Sequence, residues 1–219
     1  GTVRLFNGYA LTTSTENDTG YVAGVAYEKP EIALRVALTY TSDITHTFAV
    51  AENGNPSLPF SIEVPQSVAL DFQSGVAKDT LVFGSIRWRE WSKFTIAPFG
   101  YVNAPSNTLK SPLLNYANNV TTFSLGVGRK FSDTWSGAVT IGHEKSNGGF
   151  AGNLGPTDGY TSIGLGGTYT KDNIKISGGV SYAWIGDART AAPNTTSTPF
   201  GEFKNNHLVG VGVKVGFSF

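Results

Sequence analysis

The 219-residue chain contains no cysteine and no methionine. Without cysteine there is no disulfide framework, no thiolate metal site and no thiol nucleophile. Long apolar runs are also missing. No window approaches 18 consecutive apolar residues, so a transmembrane helix is excluded. Charge is scarce, at 15% of residues against about 25% in ordinary soluble domains. The 16 basic and 16 acidic residues cancel, which leaves no global field to recruit nucleic acid. Three histidines are present, none at paired metal-ligand spacing, and Gly-x-Ser-x-Gly is absent. The chain is expected to use no cofactor and no metal.

Glycine is abundant, at 27 of 219 residues, about twice the usual share. Alternation is abundant too. From Val209 the odd positions read Val209, Val211, Val213, Val215, Phe217, Phe219, and the even ones Gly210, Gly212, Lys214, Gly216, Ser218. Side chains on a strand alternate between faces, so one face is apolar and the other small or polar. That pattern suits a strand with lipid on its outside and water on its inside. A terminal phenylalanine fits the same reading.

Ten strands are expected, over residues 2–12, 20–28, 31–41, 60–74, 80–96, 118–131, 134–144, 159–170, 173–185 and 207–219. Nine alternate in the same way, and 80–96 is ambiguous, with Val82, Ile86 and Trp88 on one face and Leu81, Phe83, Arg87 and Arg89 on the other. In the first, Val3, Leu5, Tyr9 and Leu11 share a face, with Asn7 as an exception. Pro65 interrupts the fourth, where a bulge or break is expected because proline cannot donate to the ladder. The connections alternate in length. Residues 13–19, 42–59, 97–117, 145–158 and 186–202 are longer, and 29–30, 75–79, 132–133 and 171–172 are tight. Short turns on one side and long loops on the other are the habit of outer-membrane barrels. The expected fold is all-β: one domain over residues 1–219, an antiparallel up-and-down transmembrane β-barrel of about ten strands. With an even count, Gly1 and Phe219 should both lie on the periplasmic side. Tyr27, Tyr40, Trp88, Trp135, Tyr169, Tyr182 and Trp184 fall on the apolar faces near strand ends, where interfacial girdles sit.

Residues 20–48, GYVAGVAYEKPEIALRVALTYTSDITHTF, contain a glycine-rich strand ending in a Gly-x-x-Tyr-Glu pattern and a following Leu-Thr-Tyr-x-Ser strand. Residues 62–91, IEVPQSVALDFQSGVAKDTLVFGSIRWREW, add a Pro-x-Ser-Val strand and one closing on tryptophans, and the chain ends in VGVKVGFSF. In order and spacing these resemble the FadL/TodX family of outer-membrane channels for long-chain fatty acids and other hydrophobic compounds. The resemblance implies passive uptake through a barrel in the bacterial outer membrane, with hydrophobic external loops. It also implies fourteen strands and an amino-terminal plug, whereas this sequence resembles only the carboxy-terminal part. The chain is then a piece of a longer precursor, a partner of a missing amino-terminal segment, or a shortened homologue closing alone, with a homo-oligomer as a further arrangement.

By this register Arg4, Glu28, Arg35, Asp71, Arg87, Arg89, Lys130, Glu144, Lys175 and Lys214 face inward. An amphipathic carboxylate needs a cationic clamp and an apolar wall. Arg87 and Arg89 share a face with Leu81 and Phe83, and Arg35 and Lys214 complete the candidate ligand-binding set. Mutual pairing of these charges in a wet lumen is the alternative. The expected partners are the lipid bilayer and a hydrophobic small molecule, lipid or detergent, with no nucleic acid. Two other readings remain: a structural or interaction barrel that transports nothing, and a lipid hydrolase using His46 or His207 with Ser42 and Asp43 near the first.

Overall fold

The computed structural model describes residues 1–4, 8–152, 157–192 and 194–218. Nine strands form one continuous antiparallel sheet in which each pairs with the next along the chain. They are β1 (Val22–Lys29), β2 (Leu34–Thr41), β3 (Ser67–Ala77), β4 (Thr80–Arg89), β5 (Val120–Lys130), β6 (Trp135–Glu144), β7 (Tyr160–Lys171), β8 (Ile174–Ile185) and β9 (His207–Phe217). Their lengths suit a membrane crossing, which takes about ten tilted residues. The all-β, up-and-down antiparallel expectation holds.

Register gives the sheet its two faces, because directly opposed residues point the same way. Thr39, Ala69, Arg87, Thr122, Glu144, Tyr160 and Ile185 lie in one continuous row on the inner face. Along β2, β3 and β5 to β9 that face is mostly glycine, serine, threonine and alanine, whereas β4 places Leu81, Phe83, Arg87 and Arg89 there. The other face is apolar and open: Val25 is 69% exposed, Leu165 54%, Ile141 53% and Val211 79%. A water-soluble sheet would cover such a face, since monomers rarely expose an apolar patch of this extent.

All four tight connections lie at one end, the turn end, at residues 30–33, 78–79, 131–134 and 172–173. The long ones, 42–66, 90–119, 145–159 and 186–206, lie at the other, the loop end. Aromatic side chains mark both borders of the apolar face. Tyr27, Phe131, Trp135, Tyr169 and Phe217 sit toward the turn end, and Tyr21, Tyr40, Trp88 and Trp184 toward the loop end. Trp135 and Tyr169 touch across β6 and β7 at 5.0 Å.

Three expectations are corrected. Residues 2–12 are not the first barrel strand. Thr2–Arg4 pairs with Ala10–Thr13, which continues onto Ile44–Glu52 and Asn55–Val64 in a separate four-stranded sheet at the loop end. Arg4 is therefore not an inward residue of the large sheet. Leu5, Asn7 and Phe219 lie outside the described residues. Gly1 consequently belongs to the loop end, since its carbonyl and amino group bond Thr13, while Phe217 belongs to the turn end. Finally, residues 60–74 divide at Pro65: the segment before it belongs to the small sheet and the segment after it is β3. The local break expected there is a change of sheet.

The loop-end segments form a cap. Phe150–Ala151, Ala188–Ala191 and Pro199–Phe203 make a third small sheet, and Thr95–Ile96 pairs with Leu114–Asn115 at the base of the 90–119 loop. The buried apolar core of the molecule is here. Tyr9, Leu11 and Val50 pack against Phe48, Phe60, Tyr101 and Leu113.

Candidate channel lining

The inner face of β4 carries Leu81, Phe83, Ser85, Arg87 and Arg89 at i, i+2 spacing from the turn end to the loop end. The Phe83 ring lies over Gly126 of β5: a Cβ built there would meet Phe83 carbons at 2.5 and 2.6 Å. Glycine at this position lets a large ring lie flat on the backbone, and Gly128 continues the recess. Around Leu81 the inner face opens into a concavity of about 600 Å³ lined by Gly128, Lys130, Ala138, Gly166 and Ser177. A second, of about 460 Å³, runs over Thr140, Gly164, Gly179, Gly210 and Gly212. The inward glycines thus leave a smooth trough along β5 to β9.

Arg87 stands between Ala69 and Thr122. Among the described residues its side chain makes no ion pair and no hydrogen bond. Arg89, one step nearer the loops, stacks over the Trp91 ring at 5.4 Å. Arg35 lies on the same face but two strands away, and its Nε bonds Glu28 at 3.0 Å. Lys214 is on edge strand β9, five strands from β4, or about 24 Å along the sheet at the usual strand spacing. The six predicted residues therefore share one face. Four of them form one strip, while Arg35 and Lys214 stand apart.

Sequence reading missed the group at the loop end. Trp91, Phe94 and Tyr116 form an aromatic triangle with ring centroids 5.1 to 5.8 Å apart. Two of the three, Trp91 and Tyr116, border a pocket of about 390 Å³ with Phe150, Glu144 and Asp158. The tryptophan at the end of β4 was the available signal. Its partners come from loops whose sequence carries no pairing rule.

The histidines do not assemble a hydrolytic group with the residues expected of them. His46 Nδ1 is 2.8 Å from Asp18. The Ser42 hydroxyl instead accepts from the Tyr21 amide and donates to the Asp43 carbonyl. His207 stacks on Tyr182 with rings 9° from parallel.

No protein-family model and no curated protein sequence matches the chain. Solved structures do match its shape. A FadL homologue of Pseudomonas aeruginosa aligns with 95% of this chain and 52% of its own, at 12% identity and a TM-score of 0.61. A deltaS2S3 mutant of the TodX monoaromatic hydrocarbon channel aligns with 97% of this chain and 55% of its own, at 15% identity and 0.54. The CymD monoaromatic hydrocarbon channel covers 81% and 52%, at 14% identity and 0.50. The chain spans about half the length of the channels it matches. Those channels supply the fold rather than the chemistry of this one: over about half of their length, this chain has the barrel architecture of the FadL and TodX proteins.

Proposed function

We propose that this protein forms the wall and external cap of a bacterial outer-membrane channel that admits hydrophobic compounds passively, long-chain fatty acids among them. The observation that carries this reading is the two-faced sheet. Its outer face is apolar and exposed, and its inner face is a glycine trough flanked by Leu81, Phe83 and Arg87, which has no ion-pair partner among the described residues. An acyl chain lies along the trough and Phe83, and Arg87 takes the carboxylate bidentately. The lipid bilayer surrounds the outer face, between the two aromatic borders.

Strand parity supports a larger barrel. With nine antiparallel strands, β1 and β9 run in the same direction. Antiparallel closure therefore takes an odd number of further strands, supplied by more of this polypeptide or by another. A fourteen-stranded barrel of the kind the family resemblance implies would need five.

The test is binding of a labelled long-chain fatty acid. Arg87→Ala should weaken it about tenfold, the value of one charge-assisted clamp, while Arg35→Ala, whose arginine is already paired, should change it little. Undiminished binding by Arg87→Ala sinks the clamp. The aromatic pocket beside Trp91 favours a second reading, in which the cargo is a small neutral aromatic. In that case Trp91→Ala weakens binding of toluene and Arg87→Ala does not. If the protein binds and passes neither class, the barrel is structural.

A further inference from the structure

The 90–119 loop leaves the sheet between β4 and β5, near its middle, yet it is fastened to loops near both margins. At one fastening the Glu52 carboxylate accepts four hydrogen bonds. The Gly100 and Tyr101 amides donate at 2.7 Å each, the Tyr9 hydroxyl at 2.6 Å and the Ser57 hydroxyl at 2.5 Å. Glu52 ends the Ile44–Glu52 strand, in the loop between β2 and β3, and is only 7% exposed. At the other fastening the Asn194 amide accepts from the Thr108 amide at 2.8 Å and donates to the Ser106 carbonyl at 2.6 Å. Asn194 belongs to the loop between β8 and β9, and holds a left-handed φ of 59° that asparagine tolerates better than most residues.

Between the fastenings the segment is stiff. Residues Phe99–Val102 make one helical turn. The Asn107 side chain donates to the Tyr101 and Ser111 carbonyls and accepts from the Ser111 amide. Beneath and beside it lies a cavity of about 830 Å³ lined by Tyr9, Tyr101, Leu113, Leu114, Ala151 and Ala192.

We propose that residues 99–108 are a strap across the mouth of the channel, latched at one end by Glu52 and at the other by Asn194, and that permeation requires its release. The effect on permeation rests on the channel reading above; the latch does not. The two bolts differ in kind. Glu52 holds backbone amides with a full charge and is the firm end. Asn194 holds them with a neutral amide and is the end that yields first. Each bolt grips the strap's backbone, and at Gly100 a Cβ would meet the Glu52 carboxylate at 2.7 Å, so glycine there lets the firm end close.

The absence of cysteine allows spin labels to be placed without background. Labels on Leu58→Cys of the Asn55–Val64 strand and Leu109→Cys just beyond the strap, both exposed in the wild type, report the latch in the membrane-assembled protein. A single narrow distance is expected without further change, broadened by Asn194→Ala, more by the near-isosteric Glu52→Gln, and most in the double variant. Retained resistance of the sheet to unfolding in detergent shows that each variant is folded. An unchanged distance in the double variant overturns the latch, whatever the permeation. Permeation of the labelled fatty acid is then compared with the strap free and with it tethered through the same two cysteines by a reducible bifunctional crosslinker matched to the measured label distance. A severalfold rise on release and a loss on locking, reversed by reductant, support the gate. Equal flux in all forms overturns the gate and leaves the channel standing. Absence of flux in every form overturns the channel reading, and the label distances alone then decide the latch.

Discussion

In the nine-stranded sheet, Val211, Val213 and Val25 are 79%, 75% and 69% exposed, whereas in the cap Leu11 is 6% exposed and the carboxylate residue Glu52 only 7%. The sheet turns its apolar side chains out and its polar ones in. The cap does the reverse, and where it buries a charge it satisfies that charge completely. On the channel reading proposed above, one chain obeys two solvents. Lipid hydrocarbon makes every backbone group of a spanning segment find its partner inside the protein, which the continuous ladder from β1 to β9 does except at its two margins. Water drives apolar burial, and the cap has an ordinary small core with polar fastenings.

The largest expected effect tests that division directly. Leu165 lies at the middle of β7 on the outer face. Leu165→Arg should cost about 2–4 kcal/mol of membrane-folded stability, the penalty for a cation at the bilayer midplane. Ser181→Arg at a similar depth on the inner face, opposite Gly164 and Gly210, should cost under about 1 kcal/mol because its head reaches water. Urea unfolding in lipid vesicles measures both. Equal costs on the two faces would mean the outer face does not meet lipid.

Next is the pH response, which should belong to the cap alone. Burial pushes the Glu52 carboxyl up, but the hydrogen bonds from Ser57, Tyr9, Gly100 and Tyr101 together outweigh it and hold the group below its ordinary range. A carboxyl with a depressed folded pKa contributes its full stability above its unfolded pKa and loses it as pH falls through the folded value. Tyr9 moves the other way: burial, then the hydrogen bond to Glu52, raises its hydroxyl well above the ordinary value. Its contribution is complete below its unfolded pKa and is lost only as pH rises through the folded one. The fastening is therefore intact across the neutral range. The protection factors of the Gly100 and Tyr101 amides, taken relative to intrinsic exchange at each pH, should fall on acidification, by about tenfold for the loss of one charge-assisted bond, while those of β6 to β8 stay high. Glu52→Gln should show the low protection already at neutral pH and lose its acid dependence.

The same division explains what could be read from the residues alone. Period-two alternation is local, so β2, β5, β7, β8 and β9 were evident, whereas β4 read ambiguously, with Val82, Ile86 and Trp88 on one face and Leu81, Phe83, Arg87 and Arg89 on the other. Alternation says that a strand has two faces but not which sheet it joins. The segment around Tyr9 and Leu11 alternates too, apart from Asn7, yet it packs in the cap. Glu52 sits in Ala-Glu-Asn-Gly-Asn-Pro, which reads as a solvated hairpin turn. Three of its donors stand 43, 48 and 49 residues away, and the Asn194 contacts span 86 and 88. Partners that distant are chosen by tertiary packing, and no spacing rule reports them.

The smallest expected effect is at the turn end, where structure is again local. Lys78-Asp79 and Asp172-Asn173 each place an aspartate at positive φ, 58° and 53°, a conformation that aspartate visits more readily than most residues. The turn between β1 and β2 places Ala33 there instead, at φ 49° and ψ 27°. Alanine has no side-chain oxygen to compensate, and its Cβ crowds the following carbonyl at a cost of about 1 kcal/mol. The Ala33 amide closes the turn by bonding the Pro30 carbonyl at 2.9 Å, so the conformation is held by the hairpin. Ala33→Gly removes the clash and keeps that bond, but glycine loses more backbone entropy on folding. The net result should be a gain of under about 1 kcal/mol, seen as a small rise in the urea midpoint with the cap amides unmoved. A loss of stability would show that the Ala33 methyl, which borders the turn-end concavity, packs there, and the turn end would then depend on tertiary contacts just as the cap does.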